Sequence, residues 1–220
     1  DDKGVLPGYP ISASQLYPGI PRAPDAALHW PKLTVVRRWR RIVYPARTFF
    51  FKGNQYWRYE NYRLLDGYPK LIANGFPGVP NDINSAFVWS GNGKTYFTKG
   101  TQYYRYTRWV GVDSGYPQPM SRWKGIPNTV SAAFQYNENT YFFFRRFYYR
   151  FNDAAIEVAA GYPKPTGRNW FGCPGDSGQA AIMASDLKME ESSSGPGPHV
   201  DILLRFSCML LAIVYGWKGY

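Results

Sequence analysis

Gly175-Asp176-Ser177-Gly178 carries the residue types of a serine-nucleophile loop. A serine attacks only when a positioned histidine takes its proton and an aspartate orients that histidine. The chain has two histidines, His29 and His199, and neither stands in the upstream motif this chemistry needs, so the tetrapeptide reads as a linker coincidence. Zinc-dependent hydrolysis needs an HExxH pair and a third ligand, and no HExxH occurs. His29 follows a run of small residues and is expected to pack in a core, while His199 lies in a Pro-Gly stretch. The two supply no axial pair for haem. Cys173 and Cys208 are too far apart to be a CxxC metal pair.

What remains is the chemistry of binding. Of the net charge of +11, six positive charges come from Lys32, Arg37, Arg38, Arg40, Arg41 and Arg47, in a segment from Pro31 to Arg47 without one acid. Arginines interleaved with Trp39 suit a polyanion such as a sulfated glycan or, less well, nucleic acid; the plainer reading is a solvated insertion. Arg58, Arg105 and Arg150 recur at one position of a repeat, and each is either a contact residue or an arginine stacked on neighbouring rings.

The elements that position these residues follow from composition. Nineteen Tyr, fourteen Phe and eight Trp, with Gly and Pro plentiful, predict short strands joined by tight turns, an all-β chain. Gly-Tyr-Pro begins at Gly8, Gly67, Gly115 and Gly161, and Gly-Ile/Val-Pro at Gly19, Gly78 and Gly125. TFFFKGNQYWRY, TYFTKGTQYYRY and TYFFFRRFYYRF begin at Thr48, Thr95 and Thr140. The later intervals of 45 to 48 residues fit a propeller or solenoid, whose units bury their apolar faces only by stacking. Within a unit, small residues (Ala26-Ala27-Leu28, Ser85-Ala86-Phe87, Ala132-Ala133-Phe134) suit the crowded innermost strand. The aromatic strings suit strands further out, and the Gly-Pro motifs read as punctuation between blades.

From Asp25 to Cys173, the segments DAALHW, AFVWSGNGKTYFTKGTQYYRY, GYPQPMSRWKGIP, NTYFFFRRFYYRF and GYPKPTGRNWFGC resemble the hemopexin-like domain of the matrix metalloproteinases, in the style of arthropod and membrane-type members. The resemblance implies a four-bladed β-propeller, with about three blades complete at 22–80, 81–127 and 128–173. Residues 1–21 are then a remnant of the first blade. It also implies a disulfide from Cys173 to a cysteine that this chain lacks, Cys208 being the poorer alternative. A structural calcium ion would be held by main-chain carbonyls at Asp25, Asn84 and Ser131, since calcium takes such oxygens readily. Catalytic zinc would belong to an upstream domain.

The sequence departs from that pattern in three places. An incomplete first blade leaves sheet edges unpaired, a route to swapping or to a homodimer. An insertion of twelve residues separates Ala27 from Thr48, compared with Ala86 to Thr95. Phe144-Arg145 replaces Lys-Gly at a turn, costing about 1 kcal/mol if φ is positive there.

Residues 174–201 read as a Ser/Gly/Pro-rich linker and 202–220 as a hydrophobic tail. The apolar run from Ile202 to Trp217 is sixteen residues interrupted by Arg205, short of the roughly 20 of a spanning helix. Small residues Ser192, Ser193 and Ser194 before it fit a glycosylphosphatidylinositol attachment signal; a short membrane span and an unstructured tail remain alternatives. DDKGVLPGYP lacks the pattern of a signal peptide, so an export signal would lie outside this chain.

The expected function, by resemblance, is a non-catalytic extracellular or cell-surface recognition domain binding matrix proteins and tissue inhibitors of metalloproteinases. One alternative is the C-terminal part of an active zinc metalloendopeptidase that degrades matrix. Another is a standalone decoy or glycan-binding module.

Overall fold

The computed structural model describes residues 8, 10–171 and 173. The chain enters a first sheet as β1 (Ala26–Trp30) and leaves it for a separate hairpin of β2 (Leu33–Arg37) and β3 (Arg40–Tyr44). It returns as β4 (Arg47–Lys52), β5 (Gln55–Glu60), β6 (Arg63–Leu64) and β7 (Lys70–Leu71). Two further sheets repeat this order without the hairpin. They are β8 (Ser85–Val88), β9 (Thr95–Lys99), β10 (Gln102–Thr107), β11 (Gly111–Val112) and β12 (Gln118–Pro119), then β13 (Ala132–Tyr136), β14 (Asn139–Phe144), β15 (Phe147–Asn152), β16 (Glu157–Val158) and β17 (Lys164–Pro165). All strand pairs are antiparallel. The small-residue strands are innermost, β1 beside β8 and β8 beside β13.

The fourth strand of each blade comes in two pieces. β6 and β7 both pair with β5, at Tyr59–Glu60 and at Gln55–Tyr56, and the later sheets repeat this. Gly-Tyr-Pro lies between the pieces. It therefore does not end a blade, as the repeat alone suggested; it interrupts the outer strand. The tyrosine folds back over the gap, with Tyr68 edge-on to Tyr56, Tyr116 to Tyr103 and Tyr162 to Tyr148.

Middle strands carry consecutive buried aromatics because both faces of each sheet are covered. Phe49 and Phe51 pack toward the second sheet, whereas Phe50 meets Tyr17, Leu16 and Ile20 of the N-terminal segment. Full burial of such a ring contributes roughly 1.5–3 kcal/mol. A short helical turn after each blade supplies the ring between sheets: α1 (Ala13–Leu16) is followed by Tyr17, α2 (Ile72–Gly75) by Phe76, and a 3-10 turn (Met120–Arg122) by Trp123. Phe76 touches Phe49, Phe51 and Tyr56 on one side and Phe97 and Tyr106 on the other. Trp123 bridges Phe87 and Tyr96 to Phe142 and Phe151. In α3 (Thr166–Phe171), Trp170 packs on Phe134, Phe143 and Tyr148 of its own sheet.

Gly78 then turns the chain inward with φ +83°, and a Cβ there would stand 3.0 Å from that of Val112. Arg145 has φ 52°, like Gly53 (59°) and Gly100 (54°) at the same turn, so the expected strain of about 1 kcal/mol is present. Gly78→Ala combines positive φ with a clash and is expected to cost about 2–4 kcal/mol. Gly115→Ala, with φ +81° and open space around it, is expected to cost about 1 kcal/mol. Urea midpoints of the two variants compare these values, and equal losses would show that the Val112 contact contributes nothing.

Candidate recognition site

The ends of the innermost strands are built alike. The N–H groups of Asp25, Asn84 and Ser131 donate to the carbonyls of Phe51, Thr98 and Phe143 in the next strand. Asp25 also accepts from Lys52 Nζ and Gly53 N (both 2.7 Å), and Asn84 Oδ1 accepts from Gly100 N (2.6 Å). These side chains thus serve the adjoining hairpin turn. Among the described residues no group of three or more His, Cys, Asp or Glu converges on a metal site.

The arginine column is engaged with the Gly-Tyr-Pro tyrosines. Arg105 stacks on Tyr116 at 4.8 Å and Arg150 on Tyr162 at 5.4 Å, while Tyr68 favours the charged form of Arg58. Arg58 and Arg47 both reach Glu60, and Arg105 and Lys94 reach Asp113. Burial pushes both carboxyls up, but these cations, joined at Asp113 by the Thr107 hydroxyl, outweigh it and hold both below the usual range. His29 Nδ1 lies 3.1 Å from Thr48 Oγ1, and burial lowers its pKa.

At the far end of the innermost strands, each junction between sheets is closed by a tryptophan. Trp30 Nε1 donates to Thr95 Oγ1 (2.8 Å) and Trp89 Nε1 to Asp153 Oδ1 (2.7 Å). Opposite them stand Arg108 and Asp153, each the third residue after its column arginine. Asp153 also accepts from Ser90 and Thr140, and burial, opposed by the Trp89 and Thr140 hydrogen bonds, raises its pKa. Arg108 stacks on Trp30 (4.4 Å) and Trp109 (4.6 Å), with Tyr44 at 5.6 Å. Its Nε and Nη2 are buried without a hydrogen-bond partner, and burial, then the charges of Arg47 and Arg58, lowers its pKa. An open cavity of about 790 Å³ adjoins Asp153, lined by Ser90, Gln135, Glu138, Asn139 and Arg150. Neither Arg108 nor Asp153 was singled out from the sequence, although aligning YYRYTR with YYRFND places them at one position.

The insertion between Ala27 and Thr48 is the β2–β3 hairpin, at the place where the second sheet has the short turn through Ser90–Lys94. Its strands pair from Leu33↔Tyr44 to Arg37↔Arg40, leaving Arg38-Trp39 as the turn. Arg38, Arg40 and Arg41 are exposed, and none joins an ion pair among the described residues. Cys173 is exposed with a free thiol. Cys208, residues 175–178, Ser192, Ser193, Ser194 and residues 202–220 lie outside the described residues. No described helix is long and apolar enough to cross a membrane.

The family model described as Hemopexin matches residues 38–81, 83–128 and 130–173, more than half of the chain. The chain belongs to the hemopexin family. The first of these matches begins inside the hairpin, whereas the innermost strand of that hemopexin blade is Ala26–Trp30, because the insertion separates it from β4. Vitronectin from Homo sapiens is 37% identical over 86 residues, covering 39% of this chain and 16% of vitronectin. Neutrophil collagenase from Homo sapiens is 37% identical over 86 residues, covering 38% of this chain and 15% of the collagenase. The match therefore spans about one sixth of the length of these relatives. A solved hemopexin-fold protein from cow pea, CP4, is similar in fold, with TM-score 0.53 and 21% identity over 72% of this chain and 76% of that one.

Oppositely shifted acids predict opposite pH dependence in this hemopexin chain. Asp113, with a lowered pKa, stabilises the fold above its unfolded value, and this is lost as pH falls through the folded value. Asp153, with a raised pKa, binds its proton more readily when folded, so stability declines as pH rises from about 3.8 through the folded value. Relative to wild type, Asp113→Asn should lose stability with rising pH and Asp153→Asn should gain it. Urea denaturation from about pH 3 to about pH 7 measures both, and parallel curves would refute the assignment.

Proposed function

We propose that this chain is the non-catalytic recognition domain of a matrix-metalloproteinase-like protein that works outside the cell, binding matrix proteins and tissue inhibitors of metalloproteinases. The observation that carries the reading is the set of three hemopexin repeats folded into adjoining blades. Support comes from relatives whose names include a collagenase and matrix metalloproteinases. Further support comes from the polar groups: Arg58, Arg105, Glu60 and Asp113 hold the blades, while the cavity beside Asp153 and the inserted hairpin face outward. Zinc chemistry would belong to another part of a longer protein, and Ser192, Ser193 or Ser194 would carry a lipid anchor.

The purified full chain is expected to bind immobilised collagen or an inhibitor of this class saturably, with Kd near about 1 μM, and to leave gelatin uncut. Cleavage would make the chain an enzyme. Failure to bind either class of partner would remove this reading and leave the glycan-binding alternative, which retention on heparin tests.

A calcium ion at the carbonyls of Asp25, Asn84 and Ser131 would tie the innermost strands together without a protein side chain. Calcium at about 100 times its Kd should then stabilise the full chain by about 2.7 kcal/mol over the chelated form. An unchanged melting temperature on adding calcium, then chelator, would remove the ion from this reading.

A further inference from the structure

We propose that the β2–β3 hairpin is a docking finger for an anionic phospholipid surface. The hairpin is its own two-stranded sheet, paired with no other strand. An isolated hairpin is marginal in water, and this one is braced at its base, where Tyr44 meets Trp109 at 4.9 Å and both rings flank the Arg108 guanidinium. The finger is therefore anchored to the blade through the rings and guanidinium at its base.

Its tip is chemically unusual. Arg38 and Trp39 both have positive φ, 41° and 70°, in a two-residue turn where Asn-Gly is favoured. The other two-residue turns of this kind, Asn61-Tyr62 and Asn137-Glu138, begin with the favoured Asn. Strain held at one turn in order to present Arg and Trp points to use of those side chains. Trp39 is 101% exposed and Val36 72%, and beside the root Trp109 is 61% and Val110 74% exposed. Ile42 and Val43 are also exposed. Among these apolar groups stand Lys32, Arg38, Arg40 and Arg41, and no acid occurs from Pro31 to Arg47.

Charge complementarity selects an anionic partner, and the apolar groups select its kind. A sulfated glycan would meet the arginines and leave Val36, Trp39 and Trp109 in water. A bilayer surface takes both: indole and aliphatic groups enter at headgroup depth while guanidinium groups stay with lipid phosphates and carboxylates. The proposal is independent of matrix recognition, which requires no lipid.

The test uses the full chain with vesicles of phosphatidylcholine alone or mixed with phosphatidylserine, read by co-sedimentation and tryptophan emission. Wild type should sediment with the mixed vesicles, with a blue shift that weakens with added salt. Trp39→Ser should lose that shift and bind about tenfold more weakly, and Arg40→Glu with Arg41→Glu should weaken binding at least as much. Near-identical near-ultraviolet circular dichroism of the variants would show that the blades are intact. Undiminished binding by both variants would assign the lipid contact elsewhere in the chain, such as residues 202–220, and overturn the proposal. Equal binding to phosphatidylcholine alone, or retention on heparin without vesicle binding, would overturn it too.

Discussion

Each blade of this chain has two apolar faces, and the ring at each junction is what allows two such sheets to stack. Phe76 and Trp123 enter between successive sheets from helical turns and touch aromatic residues on both sides. A twisted four-stranded sheet and its neighbour diverge away from the axis, so the middle and outer strands need a bulky filler that the innermost strands do not. Ala86 and Ala133 can therefore sit where β8 and β13 approach, while Phe97 and Phe142 fill the space further out. Truncating a wedge would open both sheets at once, because the cost of a core cavity grows with the volume that cannot collapse.

The same geometry explains why the outer strand is broken. Leaving β5 after two pairs and rejoining it at the other end lets the chain place a tyrosine over the middle of the strand. That ring covers Tyr56, Tyr103 or Tyr148 and gives the column arginine a face or hydroxyl to meet. Arginine suits the place because its planar, weakly hydrated cation stacks on a ring at modest desolvation cost. Arg105 and Arg58 meet a carboxylate in addition. The regular cationic column is thus largely engaged with neighbouring rings and carboxylates, whereas Arg38, Arg40 and Arg41 of the inserted hairpin are exposed and join no ion pair among the described residues.

The two complete junctions differ where they could have been alike. At one, Asp153 takes the indole N–H of Trp89 together with two hydroxyls; at the other, Arg108 lies on the face of Trp30, whose N–H goes to Thr95. An aspartate there makes a closed hydrogen-bond cluster beside a polar cavity. An arginine makes a platform on which Trp109 and Tyr44 rest, and the hairpin rises from that platform.

Much of this architecture is legible in the sequence. Small residues at 26–27, 85–86 and 132–133 mark the innermost strands, since small side chains suit the place where strands converge, and alternation in Tyr56-Trp57-Arg58-Tyr59 assigns the faces of β5. The excess of residues between Ala27 and Thr48 marks the insertion. These signals are local, set by strand periodicity and turn chemistry. The place of the Gly-Tyr-Pro tyrosine is not local, because it depends on where the outer strand rejoins the sheet. Nor is the pairing of Trp30 with Arg108 or of Trp89 with Asp153, which joins residues of different blades. The sequence by itself determined the inner and two aromatic strands of each blade and the order in which they repeat. Only the tertiary structure decided which side chains meet across a junction, because those partners come together through the stacking of blades and not through any pattern within one.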